Sequence, residues 1–121
     1  MKILIVDDSK SVHAYIKSLL AEKNVEFDSA FDGQEGVDKI KAGSFDLVLL
    51  DVEMPKLTGH EVLKEVRAAN TELPIIMVTS RNKPKEIESL ILAGADEYVM
   101  KPFTQDILIN KIEETLEREI G

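Results

Sequence analysis

Apolar residues fall into two alternating patterns along this chain. Short runs rich in β-branched residues occupy Ile3 to Val6, Val25 to Ala30, Leu47 to Leu50, Ile75 to Val78 and Tyr98 to Met100. The first, third and fourth are nearly continuous, as in strands buried on both faces of a parallel sheet. The second, Val25-Glu26-Phe27-Asp28-Ser29-Ala30, carries two acids and reads as an edge strand.

Between these runs the apolar positions recur with a helical period near 3.6. Val12, Tyr15, Ile16, Leu19 and Leu20 form one core-facing stripe, and Val37 with Ile40 a shorter one. Val62, Leu63 and Val66 follow, then Ile87, Leu90 and Ile91, then Leu108, Ile109, Ile112 and Leu116. Asp32-Gly33 predicts a turn, Gly43-Ser44 ends the second helix, and Pro74 precedes the fourth strand. Glu113, Glu114, Glu117 and Glu119 predict the solvated face of the last helix.

Five strand–helix units in alternation define the α/β class, a doubly wound parallel sheet with helices on both faces. The expected strand order is 2-1-3-4-5. No internal repeat, linker or low-complexity tract interrupts the pattern. The expectation is one domain over residues 1–121, with no room after the fifth helix for an output domain.

Composition narrows the chemistry. The chain has 121 residues, 23 acidic and 15 basic, for a net charge of −8. One core can be buried at this length without staples. There is no cysteine, which removes disulfides, thiolate metal sites and cysteine nucleophiles. The acidic balance and the scarcity of aromatics argue against contact with nucleic acid. No apolar run approaches the roughly 20 residues of a membrane span, nor is the first one long enough for a signal peptide. A soluble, cytoplasmic protein without membrane insertion is expected.

Ligands of such sheets bind at the carboxyl ends of the strands, near the point where the winding reverses. Strand 1 ends in Asp7-Asp8, strand 3 in Asp51, strand 4 in Thr79-Ser80 and strand 5 in Lys101-Pro102. A single Asp after a strand is more often a helix cap or turn former. Four strand ends delivering three carboxylates, a hydroxyl and an amine to one edge are a different matter. Crowded carboxylates repel unless a cation joins them, and Mg²⁺ suits one or two carboxylates plus water and a phosphoryl oxygen. Acids, Mg²⁺ and Lys together suit phosphoryl transfer, with a carboxylate as the in-line nucleophile. His13 and His60 are each predicted to face solvent, without a positioned partner for chemistry.

These residues resemble the receiver domain of two-component response regulators, CheY-like and single-domain. The resemblance runs from Lys2 to about Leu116. It is carried by Ile3-Leu4-Ile5-Val6-Asp7-Asp8, by Asp51-Val52-Glu53-Met54-Pro55-Lys56-Leu57-Thr58-Gly59, by Val78-Thr79-Ser80, and by Gly94 through Phe103 with its Lys101-Pro102. It implies a flavodoxin-like fold and a role for each matching position. Asp51 matches the phosphoacceptor and a Mg²⁺ ligand. Asp8 matches the direct metal ligand, Asp7 one acting largely through metal-bound water, and the Glu53 backbone carbonyl a further ligand. Lys101 matches the partner of the phosphoryl group, Thr79 the switch hydroxyl, Tyr98 the aromatic that swings inward, and Pro102 a proline after a cis bond. Glu53 and Arg81 stand at positions that vary in the family and tune phosphoryl lifetime. They either pair across the pocket mouth or are unrelated surface charges.

The resemblance further implies a phosphorylation-activated switch, fed by a sensor histidine kinase or phosphotransfer protein. Its changed surface, helix 4, strand 5 and helix 5, would engage a downstream target: a motor, a phosphorelay protein or an enzyme. A monomer that catalyses only its own phosphorylation and dephosphorylation is implied. Two rival readings have weaker support in the residues. A Mg²⁺-dependent phosphohydrolase with an aspartyl-phosphate intermediate needs an acid for the leaving group, and Glu53 is the only nearby one. A nucleotide or flavin binder needs a Gly-rich anion cradle, which the sequence lacks.

Overall fold

The computed structural model describes residues 1–70 and 72–121. Strands and helices alternate as β1 (Lys2–Val6), α1 (Lys10–Leu19), β2 (Glu26–Ala30), α2 (Gly33–Ala42), β3 (Leu47–Leu50), α3 (Gly59–Ala69), β4 (Ile75–Thr79), α4 (Pro84–Leu92), β5 (Glu97–Met100) and α5 (Gln105–Leu116). The strands form one parallel sheet in the order β2-β1-β3-β4-β5. The winding reverses between β1 and β3, so that edge is where a ligand is expected.

Side-chain alternation splits the core in two. Leu4, Val6, Val48, Leu50, Ile75 and Met77 pack with Val37 of α2, Val62, Leu63 and Val66 of α3, and Leu90 of α4. Ile3, Ile5, Leu47, Leu49, Ile76 and Val78 pack on the other side with Ile16 of α1 and Leu108 and Ile112 of α5. Each fully buried Leu, Ile or Val is worth roughly 1.5–3 kcal/mol, which explains why β1, β3 and β4 tolerate no polar interruption.

Four helices begin with a side-chain cap. Ser9, Asp32, Thr58 and Thr104 accept from the backbone N–H groups of Val12, Glu35, Glu61 and Ile107. Asp32-Gly33 is therefore not a free-standing turn: Asp32 caps α2 and Gly33 is its first residue. Thr58 and Glu61 form a reciprocal capping box, and the two hydrogen bonds from Thr58 lower the Glu61 pKa. The start of α4 differs, because Lys83 offers no side-chain cap and Pro84 opens the helix.

Several positions depart from the periodicity. Tyr15 is 44 % exposed, lying at the margin of its stripe, where its hydroxyl donates to the Phe103 carbonyl. Ile91 is exposed and Leu90 alone of α4 is fully buried. The helical run of α5 stops at Leu116, and Glu117 takes a left-handed conformation (φ 54°), so Glu117 and Glu119 lie beyond the helix. The chain then returns to the core. Ile120 is buried among the α1/α5 residues, with its N–H donating to Glu113 at 3.0 Å.

Candidate functional site

The sheet register brings the acids together. Val6 pairs with Leu50 between β1 and β3, so Asp7 and Asp51 leave the sheet side by side. Two backbone bonds fix them: the Asp7 N–H donates to Ala30 and the Asp51 N–H to Val6, at 3.0 and 2.9 Å. Thr79 pairs with Met100 between β4 and β5, and the Lys101 N–H donates to the Thr79 carbonyl at 2.8 Å. Thr79 is the buried last residue of β4.

Asp7, Asp8 and Asp51 each present one carboxylate oxygen within 4.8 Å of the others. Their settings differ. Asp7 is 2 % exposed, Asp8 is exposed, and the Asp51 side chain is 12 % exposed. The Lys101 ammonium donates to Asp7 Oδ2 at 2.8 Å and stands 3.5 Å from Asp51 Oδ1. Asp7 Oδ1 accepts from the Ser9 N–H, and Asp51 Oδ1 from the Val52 N–H. Burial, and then the charge of Asp7, push the Asp51 pKa up to about 6, against the weaker opposing pull of Lys101. A divalent cation held by these carboxylates would offset that repulsion. Hard oxygen donors so close together fit Mg²⁺.

Asp8 and Asp51 open into a cavity of about 430 Å³, bounded further by Glu53, Met54, Thr79, Ser80, Arg81 and Lys101. The Thr79 hydroxyl accepts from the Arg81 N–H at 2.9 Å. At the mouth the Arg81 guanidinium is ion-paired with Glu53, so these two are not unrelated surface charges. The Lys101–Pro102 peptide bond is cis. Tyr98 is half-buried and packs against the α2–α4 side of the core. The Glu53 side chain is exposed and turned to Arg81.

The β3–α3 loop depends on a missing side chain. A Cβ on Gly59 would lie 2.2 Å from the Asp51 carbonyl oxygen, so any larger residue pushes this loop off the acidic edge. The Gly59 N–H donates to the Val52 carbonyl at 2.8 Å. Lys56 on the same loop takes a positive φ of 71°.

Neither histidine is simply solvated. His13 is 3 % exposed beneath the acids. Its Nε2 lies 2.7 Å from the Asp7 carbonyl oxygen, and this acceptor requires Nε2 to carry the proton. Its Nδ1 meets Ser29 Oγ at 3.0 Å, and its ring packs on Phe31. The sequence held a signal for this, since 13, 16 and 20 share one helical face, but the residue type pointed outward. His60 is half-buried, with Nε2 at 2.9 Å from Ser89 Oγ.

Residues 3–113 match the response regulator receiver domain family. The chain is 44 % identical over 112 residues to the transcriptional regulatory protein DltR of Streptococcus agalactiae, covering 93 % of this chain and 50 % of that protein. It is 40 % identical to the chemotaxis protein CheY of Pseudomonas aeruginosa, with both covered in full. The receiver domain of the Francisella response regulator 1452 superposes with a TM-score of 0.89 at 30 % identity, over 96 % of each chain. The chain spans about half the length of DltR and of several other curated relatives it matches. The chain belongs to the response regulator receiver domain family, the signalling switches of two-component systems. Its sheet is the flavodoxin-like arrangement expected from the alternation of elements.

Proposed function

We propose that this chain is a phosphorylation-controlled switch whose phosphoacceptor is Asp51. The observation that carries the reading is the convergence of the Asp7, Asp8 and Asp51 carboxylates within 4.8 Å, with Lys101 against two of them. Asp7, Asp8, Asp51 and the Glu53 backbone carbonyl would hold Mg²⁺, which supplies neutralisation of charge on the phosphoryl oxygens. An Asp51 carboxylate oxygen attacks the phosphorus of a phosphohistidine on a kinase or phosphotransfer protein. The O–P bond forms as the N–P bond breaks, and the electron pair leaves on the imidazole nitrogen. Lys101 pairs with the transferred group. Water attacking phosphorus later breaks the O–P bond and returns the carboxylate and inorganic phosphate. Glu53 and Arg81, joined at the pocket mouth, govern access of that water and so tune phosphoryl lifetime.

The added oxygens recruit the Thr79 hydroxyl from its bond with the Arg81 N–H, and Tyr98 moves into the space released. The output surface is α4, β5 and α5, where Ile91, Leu92 and Ile107 stand exposed. Its partner is a downstream protein rather than nucleic acid, in keeping with a net charge of −8. The switch acts as a monomer and catalyses only its own phosphorylation and dephosphorylation.

Intact mass after incubation with acetyl phosphate tests the reading. The expected result is a Mg²⁺-dependent gain of one phosphoryl group in the wild type and none in Asp51→Asn. An adduct that survives in the variant moves the acceptor elsewhere.

A further inference from the structure

Arg81 stands between two cavities. One is the acidic pocket over Asp51; the other, of about 310 Å³, lies between α3 and α4 and is bounded by Val52, His60, Arg81, Lys85, Glu86 and Ser89, with Leu90 behind. The guanidinium reaches both ways. Nη2 holds Glu53 of the β3–α3 loop, while Nη1 donates to Glu86 Oε1 of α4 at 3.2 Å. The other Glu86 oxygen, Oε2, is buried and has no hydrogen-bond partner among the described residues. Glu86 lies in the first turn of α4, the one helix start among the described residues without a side-chain cap. That turn is closed by the Glu86 and Ile87 N–H groups, which donate to the Lys83 carbonyl at 3.0 and 3.1 Å.

We propose that Arg81 is a positioning residue that ties the mouth of the phosphoacceptor pocket to the first turn of α4, and that new charge at Asp51 draws it off Glu86 and loosens that turn. The inference rests on the reading of Asp51 as phosphoacceptor. A phosphoryl group offers a guanidinium two acceptor oxygens and more charge than Glu86 does. Half of the Glu86 carboxylate is already unpartnered, so losing Arg81 leaves the whole group without a bond in a partly buried place. The turn then loses its tie while no cap compensates. Arg81 also donates its N–H to the Thr79 hydroxyl, so one residue carries the change from β4 to α4.

Amide hydrogen exchange reads this directly, with Mg²⁺ and beryllofluoride as the phosphoryl stand-in and adduct formation followed by fluorine NMR. In the wild type, the adduct lowers protection of the Ile87 amide by about two- to five-fold, the scale of one half-exposed ion pair. In Glu86→Ala, Ile87 starts with protection lowered by a similar factor, and the adduct adds less than about half of the wild-type change. Alanine is a strong helix former, and Glu88→Ala on the same helix serves as a control that behaves like wild type. An equal loss of protection in wild type and Glu86→Ala, or none in the wild type, overturns the inference while the phosphoacceptor stands. Absence of any Mg²⁺-dependent adduct in the wild type overturns both.

Discussion

Residues 47–50 and residue 51 are neighbours in sequence and opposites in energetics. Leu47, Val48, Leu49 and Leu50 are at most 1 % exposed and pack into both halves of the core. One residue later the strand delivers Asp51 to a mostly buried position beside Asp7, where its charge is disfavoured. β1 makes the same turn in polarity, with Ile3 to Val6 at most 1 % exposed and the buried carboxylate of Asp7 next in the chain. The strands supply the stability and the carboxyl end of β3 gives part of it up, as the proposed cation and phosphoryl site requires: such a site must crowd charge before either arrives.

The contrast breaks most visibly at Leu49. Leu49→Ala removes a buried side chain from the α1/α5 half of the core and costs about 2–5 kcal/mol. Urea unfolding followed by circular dichroism checks this. The loss is the same at pH 4.5 and pH 7.5, since no titrating group is involved, and a strongly pH-dependent loss would show that Leu49 supports the acidic edge rather than the core.

Asp51→Asn has the opposite sign. Unfolded, Asp51 ionises near 3.8; folded, near 6. Between these values the folded state holds the extra proton, so wild-type stability falls as pH rises through this window. Below about 3.8 the cost is absent. The variant is therefore more stable than the wild type at pH 7.5 without Mg²⁺, by ~2–3 kcal/mol, two pH units at 1.36 kcal/mol each. That advantage shrinks steadily as pH falls to 4. Equal stabilities at pH 7.5 would mean that Lys101 and the Val52 N–H already neutralise the crowding.

The sequence made the sheet legible because burial on both faces leaves an unbroken apolar run, and β1, β3 and β4 each show one. It also made the acidic edge legible, since Asp7, Asp8, Asp51 and Thr79 follow or end those runs and Lys101 follows β5. What stayed hidden depends on contacts between distant segments. His13 reads as a surface residue until Ser29 and the Asp7 carbonyl supply partners for both ring nitrogens. Ile120 continues the 108, 112, 116 spacing of the last helix, but the helix ends at Leu116, and it is the left-handed turn at Glu117 that brings Ile120 back into the α1/α5 core. The sequence leaves the pairing of Arg81 with Glu53 as one of two open readings, and Glu86 joins it only because the fold places the first turn of α4 beside Arg81. The tightness around Gly59 is likewise a property of the Asp51 carbonyl facing it, not of the glycine itself.

The smallest effect sharpens the comparison at the most exposed acid. Free Mg²⁺ at ten times its dissociation constant stabilises a one-site protein by about 1.4 kcal/mol. The wild type is expected to gain this at pH 7.5, offsetting part of what the crowded edge costs. Asp8 is exposed, so Asp8→Asn leaves the core untouched while removing one charge and one metal oxygen. Two changes follow in opposite directions. Without Mg²⁺ the variant matches or slightly exceeds the wild type, because repulsion at the edge is relieved. With Mg²⁺ at the wild-type level most of the 1.4 kcal/mol gain disappears, since a hard cation loses an anionic oxygen that an amide replaces poorly. Urea midpoints of both proteins with and without Mg²⁺ measure this as a four-point cycle. A full Mg²⁺ gain in Asp8→Asn would remove Asp8 from the metal set and leave Asp7 and Asp51 to hold the cation. A gain lost equally in Asp8→Asn and Asp51→Asn would instead show that the three carboxylates act as one site, raised on the ends of strands whose stability comes from elsewhere.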